Sequence, residues 1–160
     1  MLKITIVSVG KLKEKYLREA VEEYSKRLSR YCTLNIIEVP DEPSAENAGE
    51  AEEEAVREKE SARILAKIPE RSYVVALDIG GKQLSSEELA AKISELQVRG
   101  ESHITFIIGG SLGFSDSVRK RADMRLSFSK MTFPHQLMRV ILLEQIYRSF
   151  RIMNHEPYHK

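Results

Sequence analysis

Short apolar runs alternate with amphipathic stretches along almost the whole chain. Five runs read as strands: KITIVSV (3–9), LNIIEV (34–39), YVVALDI (73–79), HITFIIG (103–109) and MRLSFS (124–129). The third and fourth are nearly continuously apolar, the pattern of central strands covered on both faces. Between the first two, Tyr16, Leu17, Ala20, Val21, Tyr24 and Leu28 recur at helical spacing and predict a helix over 14–30. A second helix is expected over 51–67. It follows PDEPSAENAGE, where Pro40 and Pro43 favour extended or turn backbone, a loop within the domain rather than a boundary. A third begins at Ser85, because Ser85 and Glu88 can satisfy each other's free amides in a capping box, with Leu89, Ile93 and Leu96 facing inward. SDSVRKRAD predicts a short helix, and the last helix is expected to start near Pro134, whose missing N–H suits a first turn, and to run to about 152. Strand and helix alternate throughout, so the fold class is α/β, a mostly parallel sheet flanked by helices.

The last helix carries more apolar residues than one face needs. Leu137, Met138, Val140, Ile141, Leu142, Leu143, Ile146, Tyr147 and Phe150 cover more than one stripe. Two arrangements would bury the surplus: a second subunit against this helix, or a central place for it in the monomer.

Length and composition narrow the class. A chain of 160 residues has room for one domain, 1–160, with a real core. No apolar run approaches the roughly 20 residues of a membrane span, and MLKITIVSVGK has neither a basic leader nor a cleavage site, so a cytoplasmic protein with no membrane contact is expected. Cys32 stands alone, which excludes an intrachain disulfide and a cysteine zinc site; it reads as a small buried apolar residue, and no metal is expected. The net charge of +1 conceals a division along the chain. Residues 1–31 carry eight Lys/Arg against four Asp/Glu and residues 111–160 nine against four, whereas residues 38–60 carry ten acids against two bases. Attraction to phosphate is governed by local charge, since fields between exposed charges fade over about 8 Å at physiological salt. Basic ends permit RNA binding without establishing it, and solvated helix faces have the same composition.

Candidate chemistry gathers at the ends of three predicted strands: LDIGGK (77–82), IGGSLGF (108–114) and SFSKMTFPH (127–135). Loops at the carboxyl ends of parallel strands offer backbone N–H and C=O groups to heterocycles and ribose. The second loop also satisfies the G-x-S-x-G pattern of a serine hydrolase elbow, with Ser111 in the nucleophile's place. A hydrolase needs a later carboxylate and then a histidine held on a larger sheet. Only one short strand follows, and His155 and His159 lie in a terminal tail, so a hydrolase using Ser111 is kept as the alternative reading. Neither G-x-x-x-x-G-K-S/T nor G-x-G-x-x-G occurs, which argues against a nucleoside triphosphate. In the third loop, Phe128, Met131 and Phe133 are apolar where exposure would be costly unless a ligand or partner covers them.

At these loops the sequence resembles the SPOUT-superfamily methyltransferases that modify a pseudouridine of large-subunit (23S) ribosomal RNA. The likeness runs through VGKLKEKY, LDIGGK, FIIGGSLG, LSFSKMTFPHQLMRVILLEQIYRSFRI and the final EPYHK. It implies a SPOUT-type α/β knot, with the C-terminal part tied as a trefoil, and a homodimer. The implied cofactor is S-adenosyl-L-methionine, on Leu77, Gly109, Phe128, Ser129, Lys130, Met131, Thr132 and Phe133. The implied reaction methylates N3 of the pseudouridine on the assembled ribosome. The tail of one subunit is expected to reach the other's cofactor, making Tyr158 and His159 candidates for contacting the base, and Arg148 for a phosphate or the anionic ring. The basic segments 11–18 and 119–125 are expected to follow RNA backbone. Lys160 stands where some relatives carry Arg.

Overall fold

Each apolar run pairs with another as a parallel strand, because every return crosses over through a helix. The computed structural model, which describes residues 1–160, runs β1 Leu2–Val9, α1 Lys15–Leu28, β2 Cys32–Val39, α2 Glu50–Leu65, β3 Tyr73–Gln83, α3 Ser86–Val98, β4 His103–Ile108, α4 Asp116–Arg121, β5 Met124–Ser127 and α5 His135–Met153. The five strands form one sheet in the order β2-β1-β4-β3-β5, parallel throughout. No helix is long and apolar enough to cross a membrane.

The two-residue period of the strands divides the core. From β1, Leu2, Ile4 and Ile6 point to the face covered by α1, α3 and α5, where they meet Leu28, Leu89, Ile93, Leu96, Leu142, Leu143 and Ile146. Val7 and Val9 point to the other face, against Ile64 of α2 and Val118 of α4. Cys32 is buried on the first face, and that burial pushes its thiol up to about 11, so it behaves as an apolar residue. The α3 start follows the expected box: the Glu88 N–H donates to Ser85 Oγ at 3.1 Å and the Ser85 N–H to Glu88 Oε1 at 2.8 Å.

Three expectations change. Tyr16 is 67% exposed: the buried stripe of α1 runs through Leu17, Val21, Tyr24 and Leu28, and Tyr16 lies about 100° around the helix from Leu17. Pro134 is the N-cap, with extended backbone (ψ 133°), so α5 begins one residue later at His135. The strand expected over 73–79 does not end there: residues 80–82, expected as loop, belong to β3 as well, which runs on to Gln83. Leu77 pairs with Leu126, residues 78–81 bulge, and pairing with β5 resumes at Lys82 opposite the same Leu126.

That bulge explains one glycine. A Cβ on Gly81 would sit 2.6 Å from the Arg125 carbonyl carbon and oxygen, a main-chain approach that no side chain can relieve. The chain leaves β5 at the sheet edge and returns in α5, which packs against both α1 and α3 over the middle of the sheet. Residues 128–134 therefore run past β3 at its bulge, where they share a cavity lining with Leu77 to Ile79. Much of the apolar surplus of α5 is used by these two helices, while Leu137 remains exposed and Val140 and Ile141 are half-buried.

Gly81→Ala is expected to destabilise the fold by about 1–3 kcal/mol through this overpacking. Gly80→Ala, whose Cβ would meet nothing nearer than Asp78 Oδ1 at 3.8 Å, should change stability by under about 0.5 kcal/mol. Urea unfolding of both variants checks the contrast.

Candidate active site

The carboxyl ends of β4 and β5 flank the bulged part of β3, and these three enclose a cavity of about 680 Å³ with the segments that follow β4 and β5. Its walls are Leu77 to Ile79 from β3, Ile108 to Phe114 after β4, Leu126 to Ser129 at the end of β5, and Met131 to His135 with Met138 at the entry to α5. Of the residues expected to hold a cofactor, Leu77, Gly109, Phe128, Ser129, Met131, Thr132 and Phe133 line it. Lys130 does not; it is exposed in the same segment. Local hydrogen bonds shape that segment: Ser127 Oγ donates to the Ser129 carbonyl at 3.0 Å, and the Met131 N–H donates to Ser129 Oγ at 3.0 Å. Met131 is left 75% exposed, while Phe128 packs on the core.

Ser111 is at the corner of a tight turn. The Gly113 N–H donates to the Gly110 carbonyl at 3.1 Å, closing residues 110–113, and Gly113 has φ +83°, a conformation glycine adopts without strain. The Ser111 side chain is exposed and hydrogen-bonds to no histidine or carboxylate. Gly109 needs its missing side chain for a reason internal to the protein: a Cβ there would meet the buried Phe114 ring at 3.0 Å. A substitution at Gly109 would thus reach the cavity by displacing Phe114 and the turn, rather than by projecting into open space.

Four charged or titratable residues around the cavity escaped sequence reasoning. Asp78 accepts from the Gly80 N–H at 3.2 Å, Arg119 Nε at 3.0 Å and Arg125 Nη1 at 3.4 Å. Burial pushes its carboxyl up, but these three donors outweigh burial and hold it below the usual carboxylate range. Arg139, 3% exposed on the first turns of α5, donates to Glu38 Oε2 at 2.5 Å and to the Val9 and Gly10 carbonyls at 2.9 and 2.7 Å. It thereby fastens the cavity's α5 wall to the ends of β1 and β2. His135, half-buried, lines the cavity with neither ring nitrogen hydrogen-bonded to protein. Glu60 of α2, 4% exposed, lies behind the turn: its Oε2 accepts from the Glu42 N–H at 2.9 Å, its Oε1 has no partner, and a Cβ on Gly110 would come within 2.8 Å of that oxygen. The available signals were an acid inside an apolar strand at Asp78 and a histidine directly after the helix-starting proline at His135.

The other expected residues form a separate cluster. Arg148 pairs with Glu144 at 2.8 Å and approaches His159 Nδ1 at 3.2 Å, the Tyr158 hydroxyl donates to Glu144 Oε2 at 2.7 Å, and His159 Nε2 contacts Glu87. The Arg148 guanidinium also lies 4.7 Å from the Tyr158 ring centroid. Burial, and then Glu144, push the Tyr158 phenol well above its ordinary range, so it stays protonated. None of the three lines the cavity of its own chain, and Arg148 is already neutralised by Glu144.

A family model described as a predicted SPOUT methyltransferase matches residues 2–159. The chain belongs to the SPOUT methyltransferases. Proteins named ribosomal RNA large subunit methyltransferase H from Clostridium beijerinckii and Clostridium kluyveri are each 62% identical to it over 159 residues, which are 99% of this chain and 100% of each relative. The Clostridium perfringens protein of that name is 60% identical over the same span. Among solved structures, a probable methylase family protein from Haemophilus influenzae Rd KW20 superposes with a TM-score of 0.58 at 13% identity, covering 100% of this chain and 72% of that one, a likeness of fold.

This SPOUT methyltransferase depends on S-adenosylmethionine, and its cavity suits that ligand. The volume lies within the roughly 300–1,000 Å³ of small-molecule sites, and the lining joins apolar side chains to exposed main chain. The serine hydrolase alternative has no support: Ser111 lacks a base, and the glycines around it build a turn at the cavity mouth.

Burial raises the Glu60 carboxyl and Asp41 adds to the shift, while the Glu42 N–H opposes it. A carboxyl raised on folding contributes stability below its ordinary value of about 4.3 and loses it as pH rises through the raised value. Glu60→Gln stays neutral and keeps an acceptor for Glu42. Its melting temperature relative to the parent is therefore expected to be higher at pH 8 than at pH 4, by about 2–4 °C per kcal/mol, as thermal scans across that range would read.

Proposed function

We propose that this enzyme methylates N3 of a pseudouridine in 23S ribosomal RNA within the assembled ribosome, in the cytoplasm, as a homodimer. The observation that carries the reading is near-identity of length and about 60% identity with relatives named as large-subunit ribosomal RNA methyltransferases, on a chain whose cavity is built from the three loops the resemblance singles out.

When bound, S-adenosylmethionine supplies an electrophilic methyl group. Leu77, Gly109 and the segment Phe128, Ser129, Met131, Thr132 and Phe133 hold it, and exposed Lys130 lies outside the pocket as a cation available to phosphate. Alignment of the two reactants contributes up to about 7–11 kcal/mol in well-oriented cases. The half-buried side of α5 and exposed Leu137 support pairing of two copies. In that pair Arg148, Tyr158 and His159 of one subunit serve the cavity of the other. The return of the chain from the β5 edge to α5, past the bulge of β3, is compatible with the threaded, knotted path that the resemblance implies.

Subunit mixing tests both substrate and arrangement. Gly109→Val, with a damaged cavity, and His159→Ala, with a damaged tail, should each be nearly inactive on ribosomes from a strain lacking the methyl group. Random reassortment of the two should restore about a quarter of the parent rate, because half the dimers then hold one intact composite site of two. No recovery would place the tail's work within its own subunit. No transfer by the parent enzyme to such ribosomes, despite calorimetric binding of S-adenosylmethionine, would overturn the substrate.

A further inference from the structure

We propose that His135 is the catalytic base that takes the N3 proton of the target ring. The step rests on the substrate reading above and adds the proton acceptor.

N3 must lose a proton to leave a neutral methylated ring, and the pocket has three groups with full charge or ordinary titration near neutrality: Asp78, Arg119 and His135. Asp78 is occupied by the Gly80 N–H and two guanidiniums, so it is a weak base. Arg119 carries its proton permanently. His135 alone presents lone pairs that no protein donor uses, on the first turn of a helix that Arg139 clamps to the sheet. Burial lowers its affinity for a proton, Arg139 one turn along α5 lowers it further, and Asp41 from the segment after β2 opposes both, with a net downward shift. The ring is therefore neutral at physiological pH and free to accept. Glu38, Asp41 and Glu60 lie outside the lining: Glu38 is held by Arg139 and by the Leu12 N–H, and Glu60 is walled off behind Gly110.

The balance is simple. As the N3–carbon bond forms, the carbon–sulfur bond breaks with its electrons left on sulfur. The N3–H electrons remain in the ring, the proton passes to His135, and the imidazolium returns it to solvent. His159 is a poorer acceptor in the arrangement seen here, because its two nitrogens already face Arg148 and Glu87.

The test measures single-turnover methylation of ribosomes against pH, alongside S-adenosylmethionine affinity and the titration of His135 by NMR in isotope-labelled parent enzyme. The parent rate should rise with unit slope at low pH and level off at a value matching the NMR titration of His135, below 6.5. His135→Gln should lower the plateau rate by about 10²–10⁴-fold with cofactor affinity held within about threefold, and His135→Ala should regain activity with added imidazole. His159→Gln should keep the acidic limb. The proposal is overturned if the NMR and kinetic values differ, if His135→Gln keeps the limb, if its loss lies wholly in cofactor affinity, or if the limb disappears with His159. Should the glutamine variant not fold, the match of NMR and kinetic titrations in the parent decides alone. Parent enzyme that binds cofactor but leaves ribosomes unmethylated removes the substrate reading, and this step with it.

Discussion

A guanidinium buried at the junction of three elements holds the site together. Arg139 enters from α5 and spends its donors on the Glu38 carboxylate and on the Val9 and Gly10 carbonyls, at the ends of β2 and β1. Those carbonyls lie where β1 stops, beyond the reach of the sheet's own ladder, and Arg139 satisfies them at the cost of desolvating a cation. Only the Arg139 side of the pair is buried, Glu38 being 38% exposed, so the ion pair itself adds little; losing Arg139 leaves the Val9 and Gly10 carbonyls without their donor, at about 1–3 kcal/mol each. What it provides is position. His135 and Met138, on the same turns of α5, become a wall of the cavity because Arg139 fixes where α5 begins.

The elements themselves were largely legible. Strands β1, β3 and β4 announced themselves as apolar runs, and the Ser85–Glu88 box marked the start of α3 within one residue. What escaped was structure made by main chain alone. The Gly80-Gly81-Lys82 stretch carries turn residues, and nothing in its side chains shows that it pairs with β5 after a bulge, or that Gly81 must lie against the Arg125 carbonyl. The apolar surplus of α5 was visible as a quantity, but the sharing of it between α1, α3 and a remaining half-buried side depends on where the helix docks.

The site divides the same way. The segments that enclose the cavity were each conspicuous in the sequence, since glycines and stranded aromatics are odd residues for strand ends. Their charged neighbours were not, because each owes its behaviour to partners far along the chain. Asp78 depends on Arg119 and Arg125, Arg139 on Glu38, and Glu60 on the Glu42 amide. An isolated charge in a sequence has no sign of its function until a fold supplies the group opposite it. The tail illustrates the converse: Arg148, Tyr158 and His159 do come together, but beside Glu144 and Glu87, whose carboxylates absorb the charge that made Arg148 a candidate for binding phosphate.

The electrical character of the cavity follows from these pairings and bears on the chemistry. Methyl transfer from a sulfonium to a ring nitrogen begins with a cation and ends with neutral sulfur, so charge disperses on the way to the transition state. A free carboxylate beside the sulfonium would stabilise the starting state more than the transition state and slow the step. The one carboxylate in the lining, Asp78, is held by Arg119 at 3.0 Å and Arg125 at 3.4 Å, so its field is largely cancelled before it reaches the pocket. Apolar walls do the rest, offering the departing positive charge little solvation. In such surroundings an acceptor that is neutral before the reaction adds no stabilisation to the sulfonium of the starting state, which is a property of an imidazole and not of a carboxylate.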